Sequence, residues 1–150
     1  MDLILWRHAE AEEHSDDLRR RLTSKGRKQA TRAAEWLLQR LPARFALISS
    51  PAVRAHQTAQ ALGVPINVDQ TLAPGASPQA ILKAASWPDY KGAAVLVGHQ
   101  PDLGRALAQV VTGASGPWSI KKGAFWWISN RVRDGDAQVV VRAVVSPDLL

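Results

Sequence analysis

A chain of 150 residues with no cysteine, 46% of it hydrophobic, is long enough for one domain around one core and has no disulfide framework, thiolate metal site or thiol nucleophile. Its formal charge of +6 favours anionic partners, among them phosphate groups, acidic proteins and nucleic acid. The start MDLILWRHAE carries no basic stretch ahead of an apolar one, and no apolar run reaches the ~18 residues of a membrane helix, which predicts a cytoplasmic protein without a signal peptide or membrane contact.

The first element is the run Leu3-Ile4-Leu5-Trp6, which ends in Arg7-His8 and reads as a strand buried on both faces. Glu10, Glu12, Glu13, Asp16 and Asp17 precede Arg19-Arg20-Arg21, a pattern that predicts a solvated loop neutralised by its own charges. From Ser24 to Arg40 apolar residues fall at Ala30, Ala33, Ala34, Leu37 and Leu38, the spacing of one helix face, with Thr23 as N-cap. Phe45-Ala46-Leu47-Ile48 reads as a strand. Ser50-Pro51 follows as an N-cap with proline at the first helical position, and Gly63 with Pro65 ends that second helix. Ile66-Asn67-Val68 suits a short strand, Thr71 to Ser77 a loop, and Pro78 to Ser86 a weaker helix. A second buried run, Ala94-Val95-Leu96-Val97, ends in Gly98-His99. Gln100-Pro101 then opens a helix with Leu103, Ala106, Leu107, Val110 and Val111 on its apolar face and Gly113 as its stop. Ala124 to Ser129 and Gln138 to Val145, joined by Arg133-Asp134-Gly135-Asp136, predict a closing hairpin. No linker or repeat divides this alternation. It implies an α/β protein of one domain over residues 1–150, a three-layer αβα sandwich with a mostly parallel central sheet and one antiparallel margin.

Open α/β sheets bind ligands beyond the carboxyl ends of their strands, so His8 and His99 belong to one crevice if both apolar runs are parallel strands. Arg54, one turn into the second helix and four residues after Ser50, leans back toward that strand end because helical side chains tilt toward the N-terminus. A guanidinium there grips phosphate oxygens two at a time, assisted by the helix N-terminus. A metal site fits less well. His8, His14, His56 and His99 lack close ligand spacing, and the arginines nearby repel a divalent cation.

The segments RHAEAE at 7–12, LTSKGRKQA at 22–30, SSPAVRAHQTA at 49–59 and VGHQPDLG at 97–104 give the chain a marked likeness. It resembles the histidine phosphatase superfamily, branch 1, whose fold is phosphoglycerate-mutase-like, and within it the short SixA-type phosphohistidine phosphatases. That resemblance implies His8 as the nucleophile that takes up the phosphoryl group. It implies Arg7, Arg54 and His99 as the groups holding the phosphoryl oxygens, and neither cofactor nor metal. His14 occupies a place where relatives carry a polar contact to phosphate, so it joins the expected phosphate ligands. His56 lies about 200° around the helix from Arg54, at 3.6 residues per turn, and reads as structural.

One departure bears on the substrate. Many phosphoglycerate-mutase-like relatives carry a glutamate proton donor after the third strand, where this chain reads Leu72-Ala73-Pro74. An ester needs that donor, because the conjugate acid of an alkoxide resembles water, with a pKa of about 15.7, whereas that of imidazole lies near 6.5. Glu10, Asp69 and Asp89 are the carboxylates that could replace it from a loop. The expected activity is therefore metal-independent hydrolysis of phosphohistidine on a partner protein through a phosphohistidine enzyme intermediate. A small-molecule phosphomonoesterase of the same fold and a non-catalytic phosphate-binding module are the alternatives. The expected partner is a phosphohistidine-containing protein or a small phosphorylated substrate, without nucleic acid, and the chain reads as a monomer. Ala9 replaces a common glycine of the family and should have ordinary backbone geometry. Lys121-Lys122 reads either as a solvated turn or as an attractor of phosphoprotein. Trp126-Trp127, if in a strand, must point to opposite faces.

Overall fold

A computed structural model describes residues 1–150. Six strands form one sheet: β1 (Asp2–Arg7), β2 (Phe45–Ser49), β3 (Asn67–Val68), β4 (Ala93–Gly98), β5 (Phe125–Arg133) and β6 (Asp136–Val145), in the spatial order β3-β2-β4-β1-β5-β6. The pairs β1/β4, β2/β4 and β2/β3 are parallel, and β1/β5 and β5/β6 are antiparallel. The sheet is thus mostly parallel with the expected antiparallel margin.

Four helices cover it: α1 (Ser24–Leu38), α2 (Val53–Gln60), α3 (Pro78–Ala84) and α4 (Asp102–Thr112). Side chains alternate across a strand, so Ile4 and Trp6 of β1 pack with Ala33, Ala34 and Leu37 of α1 and Ala55 and Ala59 of α2 on one face. Leu3 and Leu5 pack with Ile81 of α3 and Leu103, Ala106 and Leu107 of α4 on the other. Three layers result. The same alternation sends Trp127 into the first core, while Trp126 lies half-buried on the second against Trp118, ring centroids 5.5 Å apart. No helix is long and apolar enough to cross a membrane.

Local signals explain most boundaries. Thr23 caps α1 through Oγ1, which accepts from Gly26 N at 2.9 Å. Gly113 ends α4 at φ 84°. Asp134 and Gly135 both have positive φ, 53° and 83°, as a two-residue hairpin turn of the primed class requires. Both hairpin strands run up to that turn and are longer than the apolar pattern indicates. Two glycines of the motifs are explained by close approach. A Cβ on Gly26 would stand 2.0 Å from the Glu10 carbonyl oxygen, and one on Gly104 would stand 1.7 Å from that of Trp118.

The start of α2 departs from expectation. Its N-cap is Ala52, with no side-chain cap, not Ser50, and Pro51 precedes the helix instead of opening it. The Ser50 hydroxyl is engaged by a histidine just beyond β4, and it holds the turn by accepting from Ala52 N at 3.2 Å. Arg54 is therefore the second residue of α2, nearer the sheet than one turn into a helix. The helices α1 and α3 also stop earlier than their patterns suggest, at Leu38 and Ala84.

Candidate active site

β1 and β4 lie side by side, with Arg7 paired in register to Gly98. The helices that follow them, α1 and α4, pack on opposite faces. That divergence makes a crevice at the strand ends, the usual ligand position in an open α/β sheet. The residue after each strand enters it. His8 N donates to Gly98 O at 3.0 Å, and Ser50 N, at the end of β2, donates to Val97 O at 3.0 Å. His8, Arg54 and His99 are only 6%, 4% and 3% exposed, so the crevice gathers polar side chains that are nearly out of water.

Arg54 ties the cluster together. Its Nε donates to His8 Nε2 at 3.3 Å, and its NH2 nitrogen lies 3.3 Å from His99 Nδ1. Arginine has no acceptor, so both ring nitrogens facing it carry lone pairs. For His8 this places the proton on Nδ1, which donates to Ala9 O at 2.8 Å. For His99 it places the proton on Nε2, which donates to Ser50 Oγ at 2.7 Å. Both rings are neutral. Burial pushes the His8 imidazole down to about 4; the bond to Ala9 opposes that shift, and the charges of Arg54, Arg7 and Arg20 reinforce it. His99 falls to about 3, again through burial first, then through His8 and Arg54. The two rings stand 5.3 Å apart, centroid to centroid.

Arg7 is half-buried. One NH1 nitrogen donates to Ile120 O at 2.8 Å, while its buried Nε has no partner. Burial lowers its pKa, but a guanidinium remains a cation. It contributes positive charge to both histidines. Ala9 has ordinary backbone geometry, since it is absent from the few residues with positive φ, and its N–H donates to Thr58 Oγ1 at 3.0 Å.

The crevice thus unites His8, Arg7, Arg54 and His99. His14 stands apart. It is exposed on the loop after β1, and its Nδ1 accepts from Asp16 N at 2.8 Å. His56 is half-buried on α2, two residues beyond Arg54.

Two site residues escaped the sequence reading. Ser50 serves as acceptor for His99. Asp17, part of the loop read as self-neutralised, places Oδ2 3.1 Å from an Arg54 NH2 nitrogen and its carbonyl oxygen 2.7 Å from NH1. Partial burial raises its pKa, but hydrogen bonds and charge from Arg54 and Arg20 outweigh this and hold the carboxyl below its ordinary range. The remaining loop charges behave as expected, Arg20 with Glu13 and Asp17, and Arg19 with Asp16. The only signal for Asp17 was its acidic neighbourhood, which Asp16 shares.

Three further carboxylates are engaged elsewhere. Glu10 accepts from Thr23 Oγ1 at 3.0 Å, Asp69 caps the turn Gln70–Leu72, and buried Asp102 accepts from Gly75 N at 2.8 Å. No three His, Asp or Glu side chains converge as metal ligands.

Residues 3–75 match the model of the histidine phosphatase superfamily (branch 1). An uncharacterised protein of Picosynechococcus sp. is 38% identical over 129 residues, 77% of this chain and 76% of that one. This chain belongs to the histidine phosphatase superfamily, branch 1. Its architecture is that of the SixA type. A protein assigned as a phosphohistidine phosphatase SixA from Nakamurella multipartitia superposes with a TM-score of 0.81 at 27% identity, covering 97% of this chain and 95% of that one. The protein histidine phosphatase SixA solved with tungstate gives 0.83 at 22% identity, with 99% of both chains covered. The same fold holds other phosphatases, among them a phosphoserine phosphatase of Entamoeba histolytica, with a TM-score of 0.70 at 16% identity, covering 99% of this chain and 98% of that one.

Proposed function

We propose that this chain is a cytoplasmic, single-domain phosphatase that removes the phosphoryl group from phosphohistidine on a protein, through a phosphoenzyme on His8. The observation that carries the reading is the state of His8. With Nδ1–H tied to Ala9 O and the ring held neutral, Nε2 keeps a lone pair inside a cationic cluster. Attack by Nε2 forms a P–N bond as the substrate's own P–N bond breaks. The substrate ring, protonated on its other nitrogen, leaves as neutral imidazole. Water then attacks phosphorus, the bond to Nε2 breaks, and inorganic phosphate departs with the proton shed by water. Arg7 and Arg54 compensate the charge on the equatorial oxygens throughout, which is most of what phosphoryl transfer asks of a protein. His99 stays neutral beside them, with its Nε2–H on Ser50 Oγ.

The substrate class rests on the lack of an acid. The carboxylate that touches the cluster is Asp17, and its lowered pKa makes it a poor proton donor. General acid catalysis is worth about 10²- to 10⁴-fold, and an ester leaving group would forgo it here. The tungstate held by the SixA neighbour, a tetrahedral oxyanion like phosphate, supports a phosphoryl site.

The test uses a histidine-phosphorylated protein with wild type and His8→Ala. Wild type should release phosphate and form an acid-labile phosphoenzyme, and the variant neither. Equal dephosphorylation by both overturns the mechanism. A higher kcat/KM on sugar phosphates or phosphoserine than on phosphohistidine replaces the substrate class with a phosphomonoesterase.

A further inference from the structure

The crevice is one end of a longer surface feature. A cavity of about 450 Å³ adjoins it, lined by Arg7, Lys25, Lys121 and Lys122 between the first turn of α1, the segment before β5 and the C-terminal turn. A second recess of about 240 Å³ shares Lys25 and the C-terminal turn with the first, and it adds Lys28 and Arg32. The two form one groove. Lys25, Lys28 and Arg32 recur at i, i+3 and i+7 on one face of α1, a stripe about 10 Å long at 1.5 Å per residue.

Six cations in this groove face two carboxylates, Glu10 and Asp148. Glu10 lies 3.7 Å from Lys25 and Asp148 3.4 Å from Lys121, both in pairs whose lysines are about three-quarters exposed. Exposed pairs of this kind are worth about 0–1 kcal/mol and exchange readily for another anion. Lys28, Arg32 and Lys122 form no ion pair. Arg7, which links groove and crevice, keeps a buried Nε without a partner. The loop on which Asp17 sits has a different character, with Glu12, Glu13, Asp16 and Asp17 set against Arg19, Arg20 and Arg21. Positive charge in excess is thus found on the Arg7 side of the nucleophile.

We propose that this groove docks an acidic segment of the phosphoprotein, with carboxylates flanking the phosphohistidine lying along α1 while the phosphoryl group enters the crevice. The inference rests on the phosphohistidine reading and deepens it. Charge complementarity selects the partner by raising its encounter rate, so recognition weakens with salt.

The experiment uses three histidine-phosphorylated peptides of equal length, flanked by Glu, Ser or Lys, together with free phosphohistidine. Wild type at low salt should give the Glu-flanked peptide a kcat/KM about tenfold or more above the Lys-flanked one. The ratio should approach one at about 0.5 M salt, where the Debye length is ~4 Å. It should also approach one in the triple variant Lys25→Glu, Lys28→Glu, Arg32→Glu. Turnover of free phosphohistidine, which is too small to reach the groove, should be unchanged in that variant and report that it folds. Equal kcat/KM for the three peptides, or a ratio the triple variant leaves intact, overturns the proposal. Calorimetric titration with the unphosphorylated Glu-flanked peptide separates docking from chemistry. Binding by wild type and none by the variant is expected, and equal binding by both refutes the groove. If no phosphohistidine substrate is turned over, the proposed activity fails, while the titration still decides the docking surface.

Discussion

Arg54 and Arg7 border the same histidine in opposite circumstances. Arg54 is buried, and every nitrogen of its guanidinium is engaged, on His8, His99 and both a carboxylate and a carbonyl of Asp17. Arg7 is half-buried, spends one nitrogen on Ile120 O and leaves Nε without a partner. The difference separates two duties that a phosphate site requires. A guanidinium with four of its five N–H donors engaged holds the geometry of its neighbours before any ligand arrives, whereas one with a single bond keeps most of its donors for the ligand. Asp17 adds a further element, since its carboxylate occupies an Arg54 nitrogen that a phosphoryl oxygen would use.

The largest effect should come from Arg54→Ala. It removes charge compensation, leaves His8 Nε2 and His99 Nδ1 without their donor and leaves Asp17 to Arg20 alone, so kcat/KM should fall about 10³-fold. Stability in urea should fall by about 1–3 kcal/mol, less than for a fully buried pair because Asp17 is largely exposed. Arg7→Ala should also reduce kcat/KM, by about 10²-fold, at an unfolding cost of about 1 kcal/mol or less, since one hydrogen bond is lost. Equal stability losses in the two variants would break the distinction drawn between them.

Asp17→Asn keeps a polar group near Arg54 and removes its charge. Inhibition by inorganic phosphate should then tighten about three- to tenfold, in line with the loss of one competing charge near the surface. Unchanged or weaker inhibition would make Asp17 a support for Arg54 and not a competitor.

Acid provides a finer test. Because His8 and His99 titrate near 4 and 3 in the folded chain and near 6.5 when unfolded, the unfolded state binds more protons as pH falls through that window. Stability should therefore be intact above about pH 6.5 and decline below it, by up to about 1.4 kcal/mol per pH unit for each histidine. Activity should persist to lower pH than an ordinary histidine allows and fall as His8 protonates near 4. Arg54 lowers the His8 pKa more than Arg7 does, so its removal should move the acidic limb upward further. A nitrogen-resolved NMR titration of His8 in both variants measures that order, and a larger shift in Arg7→Ala contradicts it.

Much of this site was legible in the residues themselves. The apolar runs before His8 and His99 state where the strands end, and the motif around Ser50-Pro51 states that a helix follows with Arg54 in its first turns, although the helix starts two residues later than the cap rule gives. Other features lay outside local pattern. Ser50 reads as an N-cap because the rule concerns neighbours in the chain, yet its hydroxyl answers a histidine 49 residues away. Asp17 and Asp16 are indistinguishable by composition, and only the loop's path brings one to Arg54, 37 residues on. The basic groove has the same origin, because Lys25, Lys28 and Arg32 read as an ordinary solvated helix face until the fold sets Lys121 and Lys122 beside them.

What the sequence determined by itself was the alternation of strands and helices, the fold it implies, and the four residues of the cluster. Hydrophobic period, caps and motif spacing act over a few residues, and one chain expresses them directly. The tertiary structure decided the protonation state of the two histidines, the partners of Arg54, the freedom of Arg7 and the company Asp17 keeps. Each of these depends on burial and on partners distant in the chain, because desolvation and hydrogen bonding are properties of a place in space.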